Sequence, residues 1–449
     1  MNKLSNETKV VDKFRLIHWL NIRKTTVEIL NELLANKINQ KISFHDFDGL
    51  NLYAAEKIAE VLSIPVSNIL KTPEVPSILY SSKEDLNKTK RPIKRDGIHF
   101  YNYYTLPSPN GYVAPVLIDI LCPKEKLPKL NNGHLESAIT LSLGPNDIYA
   151  RFGKKINKTN WCKFKVNKDP KTNWVVGDNY FEPSYCLHTY SRATDGPGRI
   201  LSYTTTSHIE DLFTKKLNEE SFKNFKKLSK KNNFKKNLLF QTLQDKGYEL
   251  SYLSKYSKIS LKKLEKYFNN TDNLTKKQYE KICKFADLDP RLFLEIKHKE
   301  DGVGKLYMSY NESLKTIRKF KSYTIASIVS STRFPDLHGY YMKVEKNNKN
   351  KINLDLLDSA CSHYLVTSGK LTFFYKINNK IIKKSCSEGD ALWVSAFTNH
   401  SFYGHGSLAK ISDGQNLNYL EKFDIGNLYN LPFTLKRARK DKVNWGYDN

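Results

Sequence analysis

Apolar residues recur at helical spacing in two separate stretches of the chain. In the first stretch, residues 12–70, Leu30, Leu33 and Leu34 share one helical face. The second stretch, residues 234–298, repeats the pattern, and the phrase EKIAEVLSIPVSNIL of the first is echoed there by EKICKFADLDPRLFL. The pattern therefore predicts two small bundles of short amphipathic helices.

Each predicted bundle is followed by a stretch with β-strand patterning. Residues 95–212 contain GIHFYNYYTL, APVLIDIL and AITLSLGP, and residues 305–425 contain SHYLVTSGKLTFFYKI and ALWVSA. Alternating apolar positions, β-branched and aromatic residues and closely spaced turn signals predict small antiparallel barrels. In the second stretch, a hairpin followed by an EGD turn, a strand and a histidine is typical of a cupin.

The sequence thus predicts an α+β protein built as a tandem repeat of a small helical domain and a cupin β-barrel. The helical bundles resemble helix-turn-helix domains of the phage-repressor type. The basic, polar stretch TKKLNEESFKNFKKLSKKNNFKKN separates the repeats. The predicted segments are the first helical domain (1–94), the first cupin barrel (95–213), a linker (214–233), the second helical domain (234–304) and the second cupin barrel (305–449).

The formal charge of +27 is compatible with a nucleic-acid partner, an anionic substrate or a surface rich in lysine. Lysine outnumbers arginine and accompanies abundant Asn, Ile and Tyr, a mixture expected from an AT-rich genome, so we predict no nucleic-acid partner. No apolar run approaches the roughly 20 residues that span a bilayer. The beginning of the sequence also lacks the apolar stretch of a secretory signal, so we expect a cytoplasmic protein without membrane association.

Histidine and carboxylate residues in the first predicted barrel form a candidate metal site. His134 leads a strand of alternating pattern, and Glu182 and His188 flank a turn that contains proline. Two histidines and one carboxylate form the facial triad of non-haem iron(II) oxygenases, which leaves metal positions free for substrate and oxygen. Residue spacing leaves Glu136 as a rival carboxylate, because it shares a strand face with His134. The ligand types also leave zinc and manganese open.

The second predicted barrel contains His363, His400 and His405, but no acidic residue at matching places. The first of these lies between Ser362 and Tyr364, which are poor candidates for metal ligands. We therefore predict that this barrel is a metal-free copy and that its histidines are ordinary polar residues.

A group of residues suited to anion binding precedes the strands of the first barrel. Arg95 is followed by a strand that has His99, Tyr101 and Tyr103 on one face and Asn102 on the other. Arginine binds a tetrahedral oxyanion through a bidentate fork, and tyrosine and asparagine can complete such a cage. The alternative is an ordinary strand with an aromatic core face and a charged start.

Longer strings in the chain resemble a known enzyme family. They include RPIKRDGIHFYNYYTL, LPKLNNGHLE, YFEPSYCLHTYS, RILSYT, DGVGK and the terminal WGYDN. These strings are similar to those of 2-hydroxyethylphosphonate dioxygenases and the related methylphosphonate synthases, and the similarity runs nearly from end to end. The family has two repeats of a helical domain with a cupin, which agrees with the plan above.

The resemblance implies roles for individual residues. It implies that His134, Glu182 and His188 bind iron(II), in preference to Glu136. It implies that Lys24 and Tyr103 take part in catalysis, with the lysine supplied by its own chain or a neighbouring subunit. The residues implied to contact the substrate or to line the oxygen side are Lys24, Arg95, Tyr103, Asn131, His188 and Ser202.

The implied reaction cleaves the carbon–carbon bond of 2-hydroxyethylphosphonate with O2 and gives hydroxymethylphosphonate and formate. All four electrons come from the substrate, so no oxoglutarate or external reductant is needed. Family members that release methylphosphonate act on the same substrate, and some carry glutamine as the third ligand. Glu182 therefore favours the dioxygenase, with methylphosphonate synthase as the alternative. We also expect a homo-oligomer.

Two other classes of protein remain as hypotheses. A transcriptional regulator could join helix-turn-helix modules to a ligand-sensing cupin, as the positive charge suggests. Against it, the segment SFHDFDGLNL of the first bundle carries acidic residues and no arginine fork for base edges. A metal-dependent cupin isomerase would need no oxygen, and anaerobic turnover would identify it.

Overall fold

The computed structural model describes residues 10–38, 41–71, 75–126, 128–153, 161–204, 217–228, 234–286, 288–289, 301–330, 337–347, 352–412 and 419–432. These residues belong to two compact units. The smaller unit comprises those within 1–79, 108–112 and 416–449, and the larger unit comprises those within 80–107 and 113–415.

The smaller unit contains the first helical bundle. Its core is formed by fully buried residues such as Leu16, Leu30 and Ile58. Leu30 and Leu34 of the predicted apolar face are buried, whereas Leu33 is 49% exposed. Thr26 caps the second helix by accepting a hydrogen bond from the backbone of Ile29. The helices are α1 (Lys13–Ile22), α2 (Val27–Leu34) and α3 (Leu52–Leu62), with short 3-10 helices at Phe44–Gly49 and Val66–Asn68.

The second helical bundle lies in the larger unit and has its own core, in which Leu239, Leu253, Leu264 and Ile282 are buried. A helix also occurs within the predicted linker. The end of the predicted second bundle, the segment DPRLFLEIK, lies almost entirely outside the described residues. The helices of this unit are α4 (Lys83–Lys88), α5 (Glu219–Leu228), α6 (Phe234–Asp245), α7 (Leu250–Ser257), α8 (Leu261–Phe268), α9 (Lys276–Ala286) and α10 (Tyr310–Lys315).

The first β block combines a seven-stranded, a three-stranded and a two-stranded antiparallel sheet. Its strands are β2 (Arg91–Arg95), β3 (Ile98–Thr105), β4 (Val116–Ile120), β5 (Ala138–Pro145), β6 (Ile148–Phe152), β7 (Trp161–Phe164), β8 (Val166–Lys168), β9 (Val175–Gly177), β10 (Asn179–Glu182), β11 (His188–Arg192), β12 (Gly198–Thr204) and β13 (Leu306–Met308). A preceding strand, β1 (Ile78–Ser81), is not part of these three sheets. The sheet orders are β13-β10-β5-β12-β4-β3-β2, β11-β6-β7 and β8-β9.

One strand of the first block comes from the second half of the chain. Residues 306–308 of β13 pair with β10, so that Leu306 lies opposite Phe181. The seven-stranded sheet is therefore completed by a strand that follows the second helical bundle in sequence.

The strands of the second β block form one sheet. From β19 its strand order is β19-β17-β20-β16-β15-β14, and β18 pairs with β17. A shared core that includes Leu141, Leu201, Tyr341 and Leu365 packs the two blocks together. The strands are β14 (Arg318–Phe320), β15 (Tyr323–Ser327), β16 (Gly339–Lys346), β17 (Ser362–Ile377), β18 (Lys380–Ser387), β19 (Ala391–Val394) and β20 (His400–Ser412), and one further helix, α11 (Tyr419–Gly426), follows them.

The predicted mixture of helices and antiparallel sheets is confirmed. In the part of the chain that the structure describes, the strand order of each sheet is an open path, so the predicted closure into barrels is not found. In the seven-stranded sheet, β2 and β13 are the two edge strands and do not pair with each other. A search of the same residues finds no helix with the length and apolar character that crossing a membrane requires.

Candidate metal centre

Three side chains from separate elements meet in the first β block. His134 lies in the loop before β5, Glu182 is the last residue of β10, and His188 is the first residue of β11. Their candidate ligand atoms lie within 4.8 Å of one another. Among the described residues, no other group of three or more histidine, cysteine or acidic side chains is arranged in this way. The group joins the seven-stranded sheet to the three-stranded sheet.

The loop that carries His134 is hydrogen-bonded to the segment that leads into His188. The backbone N–H of Tyr185 donates to the carbonyl of His134 at 2.6 Å, and that of Asn131 donates to the carbonyl of His188 at 3.0 Å. The Oδ1 atom of Asn131 accepts from His188 N at 2.9 Å and from Gly133 N at 3.0 Å. These bonds fix the separation of the two histidines before any metal binds.

The contacts of His134 decide between the two candidate carboxylates. Its Nδ1 lies 2.6 Å from the backbone carbonyl of Glu136, and its Nε2 lies 3.1 Å from Oε1 of Glu182. A hydrogen bond from Nδ1 to that carbonyl leaves the lone pair on Nε2, which is the usual arrangement of a metal-binding imidazole. Glu136 thus orients the histidine through its backbone, whereas Glu182 supplies the carboxylate. The proximity of Glu182 raises the pKa of His134 in the absence of a metal.

His188 is held from both sides of its ring. Its Nδ1 lies 2.9 Å from the carbonyl of Cys186 and 3.2 Å from Oε2 of Glu182, and its Nε2 lies 2.9 Å from Nδ2 of Asn131. Because Oδ1 of Asn131 accepts two backbone hydrogen bonds, its amide nitrogen is the atom that faces the imidazole. An N–H donor therefore lies beside the candidate ligands.

The burial and hydrogen bonding of Glu182 indicate whether a cation fits among these three side chains. The side chain of Glu182 is 2% exposed, and its Oε2 accepts no hydrogen bond from any described residue. A buried carboxylate with an unsatisfied oxygen is costly unless a positive charge compensates it. Two imidazoles and this carboxylate form the donor set that suits iron(II) with positions left open. The residues present therefore fit a divalent cation.

Tyr103 and Arg95 lie on the neighbouring strands β3 and β2. Tyr103 lies on the face of β3 that packs, with Tyr101, against the apolar cluster around Tyr190. Burial, and then Tyr101, raise the pKa of Tyr103 to about 12, while the charge of Arg95 lowers it. The phenol of Tyr103 is thus protonated at neutral pH and able to donate a hydrogen bond. Arg95 ends β2 and is exposed.

Two buried tyrosines on the ligand-bearing strands β10 and β11 were missed by the sequence analysis. The hydroxyls of Tyr180 and Tyr190 are hydrogen-bonded to each other. Burial raises the pKa of both phenols well above its usual value, and the charge of Glu182 raises it further. The signal was available, because Tyr180 precedes Glu182 by two residues and Tyr190 follows His188 by two, which places each on the strand face of a ligand.

The remaining predicted site residues are Ser202 and Lys24. Ser202 lies in β12, and its hydroxyl is 3.1 Å from that of Thr140 on β5. Lys24 lies in the smaller unit, in the turn after α1, with a φ of 51°. The positive φ places this lysine in the left-handed region, which is uncommon outside glycine.

Sequence comparison identifies the family of the chain. A family model described as the 2-hydroxyethylphosphonate dioxygenase cupin-like domain matches residues 87–205, the segment that holds all three candidate ligands. The 2-hydroxyethylphosphonate dioxygenase of Streptomyces viridochromogenes is 34% identical over 450 residues, covering 98% of this chain and 100% of that protein. The chain belongs to the 2-hydroxyethylphosphonate dioxygenase family. The predicted resemblance is thereby confirmed.

Two solved structures of the family are similar along nearly the whole chain. PhpD with cadmium and hydroxyethylphosphonate is 33% identical, with a TM-score of 0.80 over 96% of this chain and 100% of that one. The Streptomyces albus enzyme with Fe(II) and 2-hydroxyethylphosphonate is 13% identical, with a TM-score of 0.76 over 96% of this chain and 98% of that one. The second similarity shows that the family fold persists at low sequence identity.

The second β block contains a buried ion pair between Lys410 and Asp358. Lys410 lies opposite Tyr364 on paired strands, as Ser202 lies opposite Thr140 in the first block. The ammonium of Lys410 is 2.9 Å from Asp358, and the side chain of Lys410 is 1% exposed. The ammonium of Lys410 is thus a positive charge in the interior of the second block, and Asp358 compensates it.

The histidines of the second block do not assemble into a cluster within the described residues. Nε2 of His400 is 3.0 Å from the hydroxyl of Tyr364, which also donates to Asp358 at 2.8 Å. Burial lowers the pKa of His363 to about 3, so this side chain is neutral. His405 is exposed on β20.

Gly133 is placed where a side chain would separate the two histidine-bearing segments. Its φ is 69°, and a Cβ there would lie 2.7 Å from the Cα of Tyr185. We expect Gly133→Ala to lower the metal affinity by about 10-fold or more, as displacement of groups that orient ligands commonly does. Metal titration of the apoprotein checks this result.

Gly247→Ala is the matched control for the backbone strain of that substitution. Its φ is 71°, and nothing lies within 4 Å of a Cβ at that position. We expect this variant to lose about as much stability from the left-handed backbone, roughly 1 kcal/mol, and to keep its metal affinity. Equal metal affinities in the two variants would contradict the role given to Gly133.

Proposed function

We propose that this protein is an iron(II)-dependent dioxygenase that cleaves the carbon–carbon bond of 2-hydroxyethylphosphonate. The products are hydroxymethylphosphonate and formate, and the substrate and one O2 account for all their atoms and electrons. The observation that carries this function is the His134–Glu182–His188 group in a chain that is 34% identical to the Streptomyces viridochromogenes enzyme over 98% of its length. Iron bound there supplies the redox chemistry that activates O2 and leaves positions for the substrate.

We assign substrate binding to side chains of the first β block and to Lys24. The protonated phenol of Tyr103 can donate a hydrogen bond to a phosphonate oxygen, and the guanidinium of Arg95 offers a bidentate fork. The amide nitrogen of Asn131 lies 2.9 Å from Nε2 of His188 and can donate a hydrogen bond beside this candidate metal ligand. We assign Ser202 to the substrate side, and Lys24 to a second cation that offsets the phosphonate charge. Lys24 and Tyr103 are the catalytic candidates.

Substitution of the two cations separates substrate binding from iron binding. We expect Arg95→Ala and Lys24→Ala each to raise the KM for 2-hydroxyethylphosphonate by about 10-fold or more, since a hydrogen bond to a charged group contributes roughly 1.5–3 kcal/mol. Iron content should stay at the wild-type level. Steady-state oxygen uptake and iron analysis measure the two quantities.

Lys94→Ala is the control for these two variants, because Lys94 is an exposed cation next to Arg95 on the same strand. It should leave the KM unchanged. If both Arg95→Ala and Lys24→Ala kept the wild-type KM, the assignment of these cations to the phosphonate would be wrong.

Phosphorus NMR tests the proposed reaction directly. The iron(II)-loaded protein is incubated with 2-hydroxyethylphosphonate in air, and we expect a hydroxymethylphosphonate signal together with formate. Methylphosphonate as the product would assign the protein to the sister activity of methylphosphonate synthase. Unchanged substrate with iron demonstrably bound would refute the proposed reaction.

The domain organisation supports a duplicated plan. Two helical bundles with separate cores and two β blocks follow one another along the chain, which agrees with the proposed tandem repeat of a helix-turn-helix-like domain and a cupin. We propose that the second cupin holds the ion pair of Lys410 and Asp358 in place of a metal. The helix at 219–228 lies within the segment proposed as a linker.

The partners expected from the sequence are the phosphonate and O2, in a cytoplasmic homo-oligomer that does not bind nucleic acid. A regulator built on the same helical bundles would bind DNA with an affinity that falls steeply with salt. An electrophoretic shift assay over a salt series, run beside the oxygen-uptake assay, distinguishes the two functions. Size-exclusion chromatography with light scattering measures the oligomeric state.

A further inference from the structure

A loop from the second half of the chain lies against the turn between two of the metal ligands. We call residues 301–305, which have the sequence DGVGK, the support loop. A Cβ on Gly304 would lie 3.1 Å from Cγ of Pro183, the residue that follows Glu182. Val303 packs against the apolar cluster that contains Cys186. The support loop thus approaches the Glu182–His188 turn at Pro183 and packs on the apolar cluster to which Cys186 belongs.

The support loop is closed on itself by one carboxylate. Oδ1 of Asp301 accepts hydrogen bonds from the backbone of Val303 and of Lys305, each at 3.0 Å. Oδ2 accepts from the ammonium of Lys305 at 2.5 Å. The backbone N–H of Gly304 also donates to the carbonyl of Asp301 at 2.9 Å. Together these hydrogen bonds hold the five residues of the support loop in one conformation.

The side chain of Lys305 is largely buried, whereas that of its partner Asp301 is 42% exposed. The lysine side chain is 10% exposed, and its nitrogen lies 5.1 Å from the centre of the Phe152 ring and 5.5 Å from that of Tyr307. A desolvated ammonium is stabilised by an opposite charge and by aromatic faces, and both are present here. In turn, the cation restricts the position of the Phe152 ring.

Phe152 connects this cation to a metal ligand. It lies opposite His188 on paired strands, and the centres of the two rings are 6.5 Å apart. The ring of Phe152 thus has both the ammonium of Lys305 and the imidazole of His188 as neighbours.

We infer that Asp301 and Lys305 are positioning residues of the metal centre. The ion pair orders the support loop, which holds Pro183 and Phe152 and thereby sets the geometry of Glu182 and His188. Residues that orient metal ligands through hydrogen bonds or packing commonly change metal affinity by about 10- to 100-fold. This inference rests on the proposed metal centre, but it does not depend on the identity of the substrate.

Lys305→Met tests the inference, because it keeps much of the length of the side chain and removes its charge. We expect the affinity of the apoprotein for cobalt(II) to fall by about 10-fold, with an altered visible spectrum of the bound ion. Lys305→Arg should restore most of the affinity, because it keeps the cation. Wild-type affinity and spectrum in Lys305→Met would overturn the inference.

Lys346→Met is a matched control in the second β block. Lys346 is also a buried cation, 9% exposed, with Asp355 at 3.0 Å and the ring centre of Tyr403 at 4.2 Å. We expect it to lose similar stability and to keep its cobalt affinity. Equal losses of affinity in the two methionine variants would mean that Lys305 contributes only to general stability.

A second variant and the choice of cobalt titration cover the cases in which Lys305→Met does not fold or the enzyme is inactive. If Lys305→Met does not fold, Gly304→Ala presses on Pro183 from the same loop and should weaken cobalt binding in the same direction; unchanged cobalt binding there would overturn the inference. Cobalt titration requires no turnover. A wild-type protein that binds metal without cleaving 2-hydroxyethylphosphonate would therefore refute the proposed reaction and leave the role of Lys305 to be decided by the titration.

Discussion

Glu182→Ala is expected to abolish iron binding without unfolding the protein. Glu182 is the only carboxylate in the cluster of candidate ligands within the described residues, and it lies 3.1–3.2 Å from the nearest nitrogens of both histidines. Its loss leaves two neutral imidazoles, a donor set with no negative charge to offset a divalent cation. We expect iron to fall from about one ion per chain to background and activity to become undetectable. Iron analysis after anaerobic loading measures the first quantity.

Glu136→Ala is the control for this result, since Glu136 contacts His134 through its backbone carbonyl and not through its carboxylate. This variant should keep its iron and most of its activity. Circular dichroism and thermal unfolding should show that both variants are folded. Stoichiometric iron in Glu182→Ala would exclude the glutamate as a ligand.

Lys410→Ala is expected to destabilise the protein more than any other single substitution of a lysine discussed above. Burial lowers the pKa of Lys410, but Tyr340 and Asp358 raise it by more, so the ammonium is charged. Burial likewise opposes ionisation of Asp358, and Lys410 outweighs it and lowers its pKa. Removing one member of such a pair leaves an uncompensated charge in the interior, at a cost of about 3 kcal/mol. Urea denaturation measures the change.

The double variant Lys410→Met with Asp358→Asn separates the charge effect from packing. It removes both charges and keeps similar side-chain volumes, so it should recover much of the lost stability. Iron content should equal that of the wild type in the single and the double variant, because the pair lies in the second β block. A denaturation midpoint of Lys410→Ala equal to that of the wild type would contradict the role of the ion pair.

The sequence predicts the main features of the metal centre because its residues follow strand periodicity and turn chemistry. The proline after Glu182 indicates a turn, and the histidine beyond it begins the next strand. His134 is different, since it lies in a loop four residues before β5 and does not lead the strand directly. Its position depends on hydrogen bonds to Tyr185 and Glu136, which no local pattern encodes.

The choice between Glu136 and Glu182 could not be made from spacing for the same reason. Both carboxylates are compatible with a histidine at position 134 until the path of the loop is known. Contacts between segments that are distant in sequence could not be predicted from local patterns either. Lys305 follows Phe152 by more than 150 residues in sequence, yet its ammonium lies 5.1 Å from the centre of that ring. The string DGVGK was part of the family resemblance, but nothing in it indicates where the loop packs.

The pairing of β13 with β10 limits how this protein can be divided. Expression of residues 1–233 alone would remove the three residues that cover Asn179, Tyr180 and Phe181 along the edge of the seven-stranded sheet. An uncovered edge strand that carries apolar side chains is a template for intermolecular pairing. Residues 1–233, although they hold all three candidate ligands, are therefore not a unit that could be cut out and engineered by itself. Any fragment designed to keep this edge covered has to extend through Met308.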